Sequence, residues 1–199
     1  MYTNQPEVEL FVNGVSAGAR AVENRTARWE VALANGPNSI RAQAGPYEDR
    51  VTIVYADRLG GGFFAVNAGA HYGYVDDSHI YWEPDRAYTP GSWGYIGEGK
   101  AARTHHRVFA TADDPLFQAS RQGMEAYQFD VEDGMYQVTL GFAASVQRAA
   151  VNGQTVLREL VVPLHTATLH SIVTEARGGQ GIRIEVEGPI AAIKVRRKL

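Results

Sequence analysis

The sequence contains no cysteine among its 199 residues. Disulfide bridges and thiolate metal sites are therefore excluded, while the cellular compartment stays open, because many secreted and periplasmic bacterial proteins also lack cysteine. The chain has no apolar run long enough to cross a bilayer, so a membrane is not expected as a partner. Residues 1–6 have neither a charged n-region nor an apolar h-region, and we expect no targeting signal there.

An excess of positive charge is also missing. The formal net charge is -3, which provides no basic field for a phosphate backbone, so nucleic acid is not expected as a partner. With 45% hydrophobic and 21% charged residues, the composition is that of an ordered, soluble globular protein.

No stretch keeps a helical apolar stripe for more than about two turns; alternation of apolar and polar residues dominates instead. In the first part of the chain it predicts strands at residues 8–12, 29–33, 40–44 and 51–55. Asn13-Gly14 and residues 35–38 are turn sequences, which indicates two hairpins and a closing strand. This is fewer than the roughly seven strands of an immunoglobulin-like sandwich, so we expect a partial unit whose earlier strands precede Met1.

Residues 57–62, which end in three glycines, form the expected seam between a first unit, 1–56, and a second unit, 63–199. In the second unit, strands are predicted at residues 63–67, 127–131, 136–142, 149–151, 155–157, 172–176, 182–186 and 190–195. The fold class is therefore all-β, with two antiparallel sandwich units. A short helical turn is expected after Asp113-Asp114-Pro115, where a carboxylate precedes proline at the first helical position.

The segment between Gly69 and Gly97 holds an unusual number of rings on turn-forming sequence: His71, Tyr72, Tyr74, Tyr81, Trp82, Tyr88, Trp93 and Tyr95. Rings on loops give large contact area at low entropy cost and suit sugars, which present both C–H faces and hydroxyls. Tyr72, Tyr74, Trp93 and Tyr95 each lie near glycine, which allows close approach of a ligand, and we expect them to bind. For Tyr81 and Trp82, burial in a core from a long loop is as compatible with the sequence as ligand binding.

The second part of the chain contains, in order, the blocks 64–69 (Phe-Ala-Val-Asn-Ala-Gly), 82–85, 92–95, 113–118, 127–131, 134–143 and 191–195. Through these blocks, residues 60–197 resemble a malectin-like domain. This resemblance implies a jelly-roll-like sandwich that binds oligosaccharides through loop aromatics at one end, helped by an acidic residue. Residues 2–14, ending in Val-Asn-Gly, resemble the immunoglobulin-like accessory domain of family 2 glycoside hydrolases, the β-galactosidase and β-glucuronidase group.

The malectin resemblance assigns candidate binding residues position by position. Trp93 falls where the family has a sugar-stacking tyrosine, Tyr72 follows the Asn-Ala-Gly step, and Tyr127 occupies a matching aromatic position. Glu187 corresponds best to the acidic residue. Apart from the resemblance, we expect Glu187, Asp77 or Arg121 to hydrogen-bond sugar hydroxyls. After Ala143 this chain is shorter than the family pattern, which removes part of the expected ligand wall.

Catalysis by this chain is not expected. Glycoside hydrolysis needs two carboxyl groups facing one another across the scissile bond, and no two carboxylates here are paired on adjacent strands by the sequence pattern. The six histidines match no ligand spacing. No cofactor is expected; Asp76 and Asp77 are candidates for a structural calcium ion only.

The sequence therefore predicts a non-catalytic carbohydrate-binding module, the C-terminal part of a bacterial β-glycosidase such as a β-galactosidase. Its expected partners are an oligosaccharide or polysaccharide and the catalytic domain of the parent enzyme. The alternative is a structural spacer whose aromatics pack on that catalytic domain or mediate contacts in an oligomer. Whether the rings line an open concavity or an apolar patch distinguishes the two.

Overall fold

The computed structural model describes residues 3–34, 36–55 and 62–198. It divides into two compact units, residues 1–56 and 57–199. The described residues are built from strands with one four-residue helix, which confirms the predicted all-β class. That helix is far too short to span a membrane, and the described residues contain no other. Residues 57–61 of the expected seam lie outside the described residues.

The first unit is one antiparallel sheet. Its strands are β1 (Glu7–Val12), β2 (Val15–Ala21), β3 (Gly36–Ala44) and β4 (Tyr47–Tyr55), in the order β2-β1-β3-β4. The turn between β1 and β2 is the predicted Asn13-Gly14, with φ of 51° and 83°. Two consecutive positive φ angles match the right-handed twist of a tight hairpin, which is why the sequence is Asn-Gly.

One face of this sheet carries the small core of the first unit. Val8 and Leu10 of β1 and Ala42 and Ala44 of β3 are buried there, and Ala27 packs on them from the connection between β2 and β3. A groove of about 970 Å³ runs beside this core, between the sheet and residues 27–30.

Two predictions for the first unit are wrong. Residues 29–33 form no strand; the Trp29 indole N–H donates to the carbonyl of Gly18 at 3.0 Å and holds this segment against β2. Residues 36–38 begin β3 instead of forming a turn, and the Asn38 side chain binds both the amide and the carbonyl of Ala34. Asn35 lies outside the described residues.

The second unit contains thirteen of the strands among the described residues. They are β5 (Phe63–Asn67), β6 (Tyr74–Val75), β7 (Tyr81–Pro84), β8 (Trp93–Ile96), β9 (Lys100–Arg103), β10 (Ala119–Gln122), β11 (Ala126–Phe129), β12 (Gly134–Phe142), β13 (Val146–Val151), β14 (Gln154–Leu160), β15 (Thr168–Ala176), β16 (Ile182–Glu187) and β17 (Ala192–Arg197). The helix α1 (Asp114–Phe117) has Pro115 in its first turn, as predicted.

These strands form a sandwich of two sheets with a small third sheet. The order is β14-β13-β16-β11-β8 in one sheet and β15-β12-β17-β5-β7-β6 in the other, while β9 and β10 pair alone. All pairs are antiparallel except β5 with β7. The main core lies between the two large sheets, where apolar side chains alternate along β12 and β16.

Strand β5 is buried on both faces. Phe64 and Val66 point into the main core, while Ala65 faces a second apolar cluster that contains Trp82 and Phe117. Helix α1 covers this outer side, which is why the sequence of β5 is apolar throughout instead of alternating. Burial of each large side chain contributes about 1.5–3 kcal/mol, so the two clusters tie the loops between β5 and β11 to the sandwich.

All eight strands predicted in the second unit are present, with ends shifted by a few residues. The sequence reading missed the five strands between β5 and β11. They are only two to four residues long, which is too short for alternation to be recognised, and aromatic residues with glycine or proline interrupt the pattern in β7 and β8. This difference decides where the aromatic side chains lie.

Candidate functional site

Several connections of the second unit meet at one end of the sandwich, which we call the rim: residues 68–73, 97–125, 143–145, 161–167 and 188–191. Backbone hydrogen bonds join them, from Ala68 N to Ala191 O at 2.8 Å and from Arg121 N to Ile190 O at 2.9 Å. His165 N likewise donates to Ala143 O at 3.1 Å. The rim is therefore a set of mutually braced loops held by the core beneath.

A buried ion pair lies under the rim. The Arg121 Nε donates to Asp85 Oδ2 at 2.5 Å, and the two side chains are only 10% and 2% exposed. The same Asp85 oxygen accepts the Gly69 N–H at 2.6 Å, while Arg121 Nη1 donates to the carbonyl of Gly99 at 2.8 Å. One ion pair thus connects the turn after β5, the end of β7, the turn after β8 and strand β10.

Glycine at position 69 is required by this arrangement. Its φ is +77°, and a Cβ there would run into the backbone carbonyl of Ser120. The close approach allows the Gly69 N–H to reach Asp85. The Asn-Ala-Gly step in the sequence is explained by this backbone contact.

Tyr127 and Tyr95 complete the ion-pair network. The Tyr127 hydroxyl lies 3.1 Å from each carboxylate oxygen of Asp85, and the Arg121 guanidinium lies 3.6 Å above the Tyr95 ring. Burial, and next the charge of Asp85, raise the pKa of Tyr127 well above its usual range. Burial by itself would lower the pKa of Arg121, but the hydrogen bond and charge of Asp85 outweigh it and raise that pKa.

The expectation that Trp93 and Tyr127 are open to a ligand is wrong. Tyr127 is fully buried and Trp93 is 1% exposed. The Trp93 ring stacks on Phe129, with centroids 6.0 Å apart and planes 11° apart, and the Arg86 guanidinium lies 4.3 Å from it. The reason is that residues 93–96 form β8, paired with β11, and are not the loop that the sequence reading assumed.

The other predicted site residues are distributed over several places. Tyr95 is half-buried under Arg121, and half-buried Tyr72 lies beneath the Arg103 guanidinium, 5.1 Å from it. Glu187 is exposed at the end of β16 and pairs with Arg148 at 3.3 Å. The structure therefore brings Arg121, Tyr95 and Tyr127 into one network and leaves Glu187 in another.

Asp113 joins Tyr74 and Asp77. Its Oδ1 accepts the Tyr74 hydroxyl at 2.8 Å and the Asp77 N–H at 3.0 Å. Burial, and then the hydrogen bond to Asp113, raise the pKa of Tyr74 far above its usual value. Asp113 precedes α1 as predicted, but its carboxylate makes no cap hydrogen bond to the helix because it is engaged here.

Asp76, a candidate calcium ligand with Asp77, has both carboxylate oxygens engaged by the protein. One accepts the Ile80 N–H at 2.8 Å and the other the Trp82 indole N–H at 2.9 Å. Across residues 3–34, 36–55 and 62–198, no group of three or more histidines and carboxylates could hold a metal ion. The structure thus gives Asp76 a role in folding the turn before β7.

A cleft of about 240 Å³ opens on the rim. Its polar lining comes from β9, β10 and the connections beside them: Arg103, Thr104, Gln118, Ser120, Gln122 and His165. Phe117, Ala143 and Leu164 supply apolar walls. Hydroxyls, amides and a cation beside small apolar surfaces are the groups that bind sugar hydroxyls and C–H faces.

Sequence reasoning missed every polar residue of this cleft. They lie between residues 103 and 165, on segments that come together only through the β9–β10 pair and the contact between residues 106–109 and 165–167. The only local signal was the alternation Ala119, Ser120, Arg121, Gln122, which places Ser120 and Gln122 on the face opposite Arg121.

Comparison with known proteins identifies the second unit. Residues 63–156 match the model of the malectin domain. The second unit carries a malectin domain. Residues 1–49, in the first unit, match a domain of unknown function, DUF4982. No curated protein matches the chain.

Solved structures extend this result beyond the malectin domain. The chain is 31% identical to a β-glucuronidase of Bacteroides uniformis, with a TM-score of 0.67. The match covers 100% of this chain but only 27% of the β-glucuronidase. A second B. uniformis structure, β-glucuronidase 2 covalently bound to cyclophellitol-6-carboxylate aziridine, is 32% identical with the same TM-score, over 100% of this chain and 26% of that one. The sequence-based resemblance is thereby confirmed, and these relatives are β-glucuronidases instead of β-galactosidases.

A more distant structure shares only the fold. The plant receptor-like kinase FER is 13% identical with a TM-score of 0.57, over 68% of this chain and 42% of that one. The malectin fold is therefore maintained by sequences that have little in common, as expected where core alternation and turn geometry determine the sandwich.

The raised pKa of Tyr127 predicts lower stability in alkali. Below about pH 10 the folded and unfolded chains both keep this proton; above it the unfolded chain loses the proton and the folded one retains it, so rising pH favours unfolding. We expect Tyr127→Phe to make the pH dependence of the free energy of unfolding shallower by about 1.4 kcal/mol per pH unit above pH 10. Urea titrations from pH 8 to 11 measure this slope.

The matched control for this prediction is Tyr81→Phe, which removes a hydroxyl from a ring that is 45% exposed. It should retain the slope of the unaltered protein. An unchanged slope in Tyr127→Phe would show that this hydroxyl ionises in the folded state as readily as in the unfolded chain.

Proposed function

We propose that this chain is a non-catalytic, carbohydrate-binding accessory part of a bacterial β-glycosidase. The observation that carries the proposal is the rim cleft of the malectin domain, with Thr104, Ser120 and Gln122 as hydroxyl and amide partners. The braced loops leave this cleft formed before a ligand arrives, which reduces the entropy cost of binding. Tyr72 is half-buried and lies beneath Arg103, which lines the cleft, and we assign it the role of aromatic platform.

The proposal assigns different roles to the residues predicted from the sequence. Arg121, Tyr95 and Tyr127 hold the rim from below, while Tyr72 contacts the sugar. A single small cleft with one platform binds weakly, with a Kd on the order of 10 µM to 1 mM. Attachment to a catalytic domain turns that modest affinity into a high local substrate concentration.

The parent activity is proposed from the relatives. They are named β-glucuronidases, and this chain spans about a quarter of their length, so we propose a family 2 glycoside hydrolase of the β-glucuronidase type as the parent. The catalytic carboxylates would lie outside the matched region.

Calorimetric titration of the 199-residue chain with neutral and acidic oligosaccharides of four residues tests the proposal. We expect Gln122→Ala to weaken binding about three- to tenfold, because the exposed amide of Gln122 lines the cleft and a hydrogen bond to a ligand contributes about 0.5–1.5 kcal/mol. Gln137→Ala is the matched control, since Gln137 is also an exposed strand glutamine but lies on β12, outside the cleft lining. Equal affinities for both variants would remove the cleft from the binding site.

A second candidate function rests on exposed apolar side chains at the rim. Val161 and Leu164 are 83% and 71% exposed, and Phe109 is also exposed. Such a group of side chains suits packing on a protein, here the catalytic domain of the parent or a second copy of the chain. The spacer role would be favoured if the chain binds no saccharide but forms a complex with the separately produced catalytic domain. Leu164→Asp should then abolish that complex.

A further inference from the structure

The segment from β9 to the rim loop is rich in cations without ion-pair partners. Lys100, Arg103 and Arg107 pair with no carboxylate among the described residues, whereas five other arginines of the second unit do: Arg121, Arg148, Arg177, Arg183 and Arg197. Arg103 and Arg107 instead lie over the rings of Tyr72 and Phe109. Positive charge therefore collects at this side of the rim in a protein whose formal net charge is -3.

The cleft beside these cations has no acidic lining. Its lining includes the guanidinium of Arg103 and the imidazole of His165, and none of the described residues that line it is aspartate or glutamate. Two carboxylates on neighbouring segments are engaged within the protein: Asp85 by Arg121, and Asp114 by the Val108 N–H at 3.2 Å. Glu98, exposed on the turn before β9, is the one acidic residue in residues 97–112.

The guanidinium of Arg103 is suitably placed to bind an anion. The ring of Tyr72 lies on one side of it, 5.1 Å from the guanidinium carbon, so the planar group is oriented while its N–H groups are not occupied by a carboxylate. A guanidinium binds a carboxylate through two parallel hydrogen bonds, which a hydroxyl cannot reproduce. The hydroxyls of Thr104 and Ser120 lie in the same cleft for the rest of a sugar ring.

We propose that the rim cleft selects carboxylate-bearing sugars, and that Arg103 binds the carboxylate of a uronic acid residue in an oligosaccharide. This inference rests on the proposed carbohydrate-binding function and adds the substrate class. Because Arg103 is exposed, salt screens its interaction, so affinity for an acidic ligand falls with ionic strength while affinity for a neutral ligand does not.

Matched acidic and neutral ligands test the proposal by calorimetry on the full 199-residue chain. The acidic probes are β-1,4-linked tetraglucuronate and α-1,4-linked tetragalacturonate, and the neutral probes are their carboxyl-reduced forms. In at least one series we expect the acidic member to bind about tenfold more tightly at 20 mM salt, with most of that preference lost at 200 mM. Arg103→Gln should remove this preference, so that the acidic and neutral members of a series bind it with equal affinity.

Arg196→Gln is the matched control, since Arg196 is exposed on β17 with no ion-pair partner among the described residues and pairs in register with Phe63, at the end of β5 away from Asn67. Arg103→Lys keeps the charge without the two parallel donors and should give an intermediate preference. If neutral ligands bind as well as acidic ones, the proposed selectivity for carboxylate-bearing sugars is wrong, while the proposed carbohydrate-binding function stands. If a sulfated tetrasaccharide binds and loses the same affinity in Arg103→Gln and Arg196→Gln, general attraction of polyanions replaces the proposed selectivity. If no saccharide binds, the proposed carbohydrate-binding function is wrong as well.

Discussion

Asp85→Ala is expected to lower the free energy of unfolding of the second unit by about 3–5 kcal/mol. The substitution leaves the Arg121 guanidinium buried without its carboxylate and removes the acceptor for the Gly69 N–H and the Tyr127 hydroxyl. A buried charge that loses its partner costs far more than the pair itself contributes. Thermal unfolding followed by near-ultraviolet circular dichroism should show a decrease in Tm on the order of 10 °C.

Two further variants define this prediction. Asp85→Ala combined with Arg121→Met removes both charges and should recover a large part of the lost stability, because no unpaired ion remains. Glu175→Gln breaks the exposed pair with Arg177 and should leave the Tm unchanged. If Asp85→Ala is as stable as Glu175→Gln, then water reaches the Arg121 guanidinium and the network under the rim is not closed.

Trp93→Ala is the second substitution with a large expected effect, a loss of about 3–5 kcal/mol in the free energy of unfolding. The indole fills the core between Phe129 and Arg86, and truncation leaves a cavity there. Affinity for oligosaccharides should stay the same among molecules that remain folded, because Trp93 does not reach the surface. Urea unfolding and calorimetric titration below the transition measure the two quantities separately.

Trp93→Phe is the conservative control. It keeps a ring against Phe129 and removes an indole N–H that has no hydrogen-bond partner among the described residues, so it should cost about 1–2 kcal/mol at most. The opposite pattern in Trp93→Ala, normal stability with lost sugar binding, would restore the role of this residue as a stacking platform.

The buried network and the cleft have separable functions. Asp85 and Arg121 lie beneath the rim and brace the turns that carry it, whereas Arg103 of β9 and Gln122 of β10 line the cleft. Substitutions in the network are expected to act on stability first and on affinity only through displaced loops. Substitutions in the cleft are expected to change affinity and leave the Tm unchanged.

The predictable part of this protein was its regular strands. Strands β12 and β16 keep an apolar residue at every second position, from Tyr136 to Phe142 and from Ile182 to Val186, and this period can be read directly from the sequence. The Asn-Gly turns at residues 13 and 152 were predictable for the same reason, since two consecutive positive φ angles restrict the choice of residues.

The region between β5 and β11 was predicted poorly because its structure depends on distant partners. The β8 strand has four residues and exists through its pairing with β11, about thirty residues later. An aromatic residue beside glycine has the same local pattern whether it faces solvent or a core. Trp93 and Tyr72 looked alike in the sequence, and only the first is sealed.

The sequence by itself determined that the chain is an all-β protein, because alternation and turn chemistry are local properties. The malectin domain was found in the sequence through its resemblance to the family, which the family model bears out over residues 63–156. The tertiary structure alone decided which side chains can meet a ligand. Packing turned Trp93 and Tyr127 into core residues and brought Arg103, Gln122 and His165 to one cleft. Burial and proximity depend on chain segments far apart in sequence, so no local pattern records them.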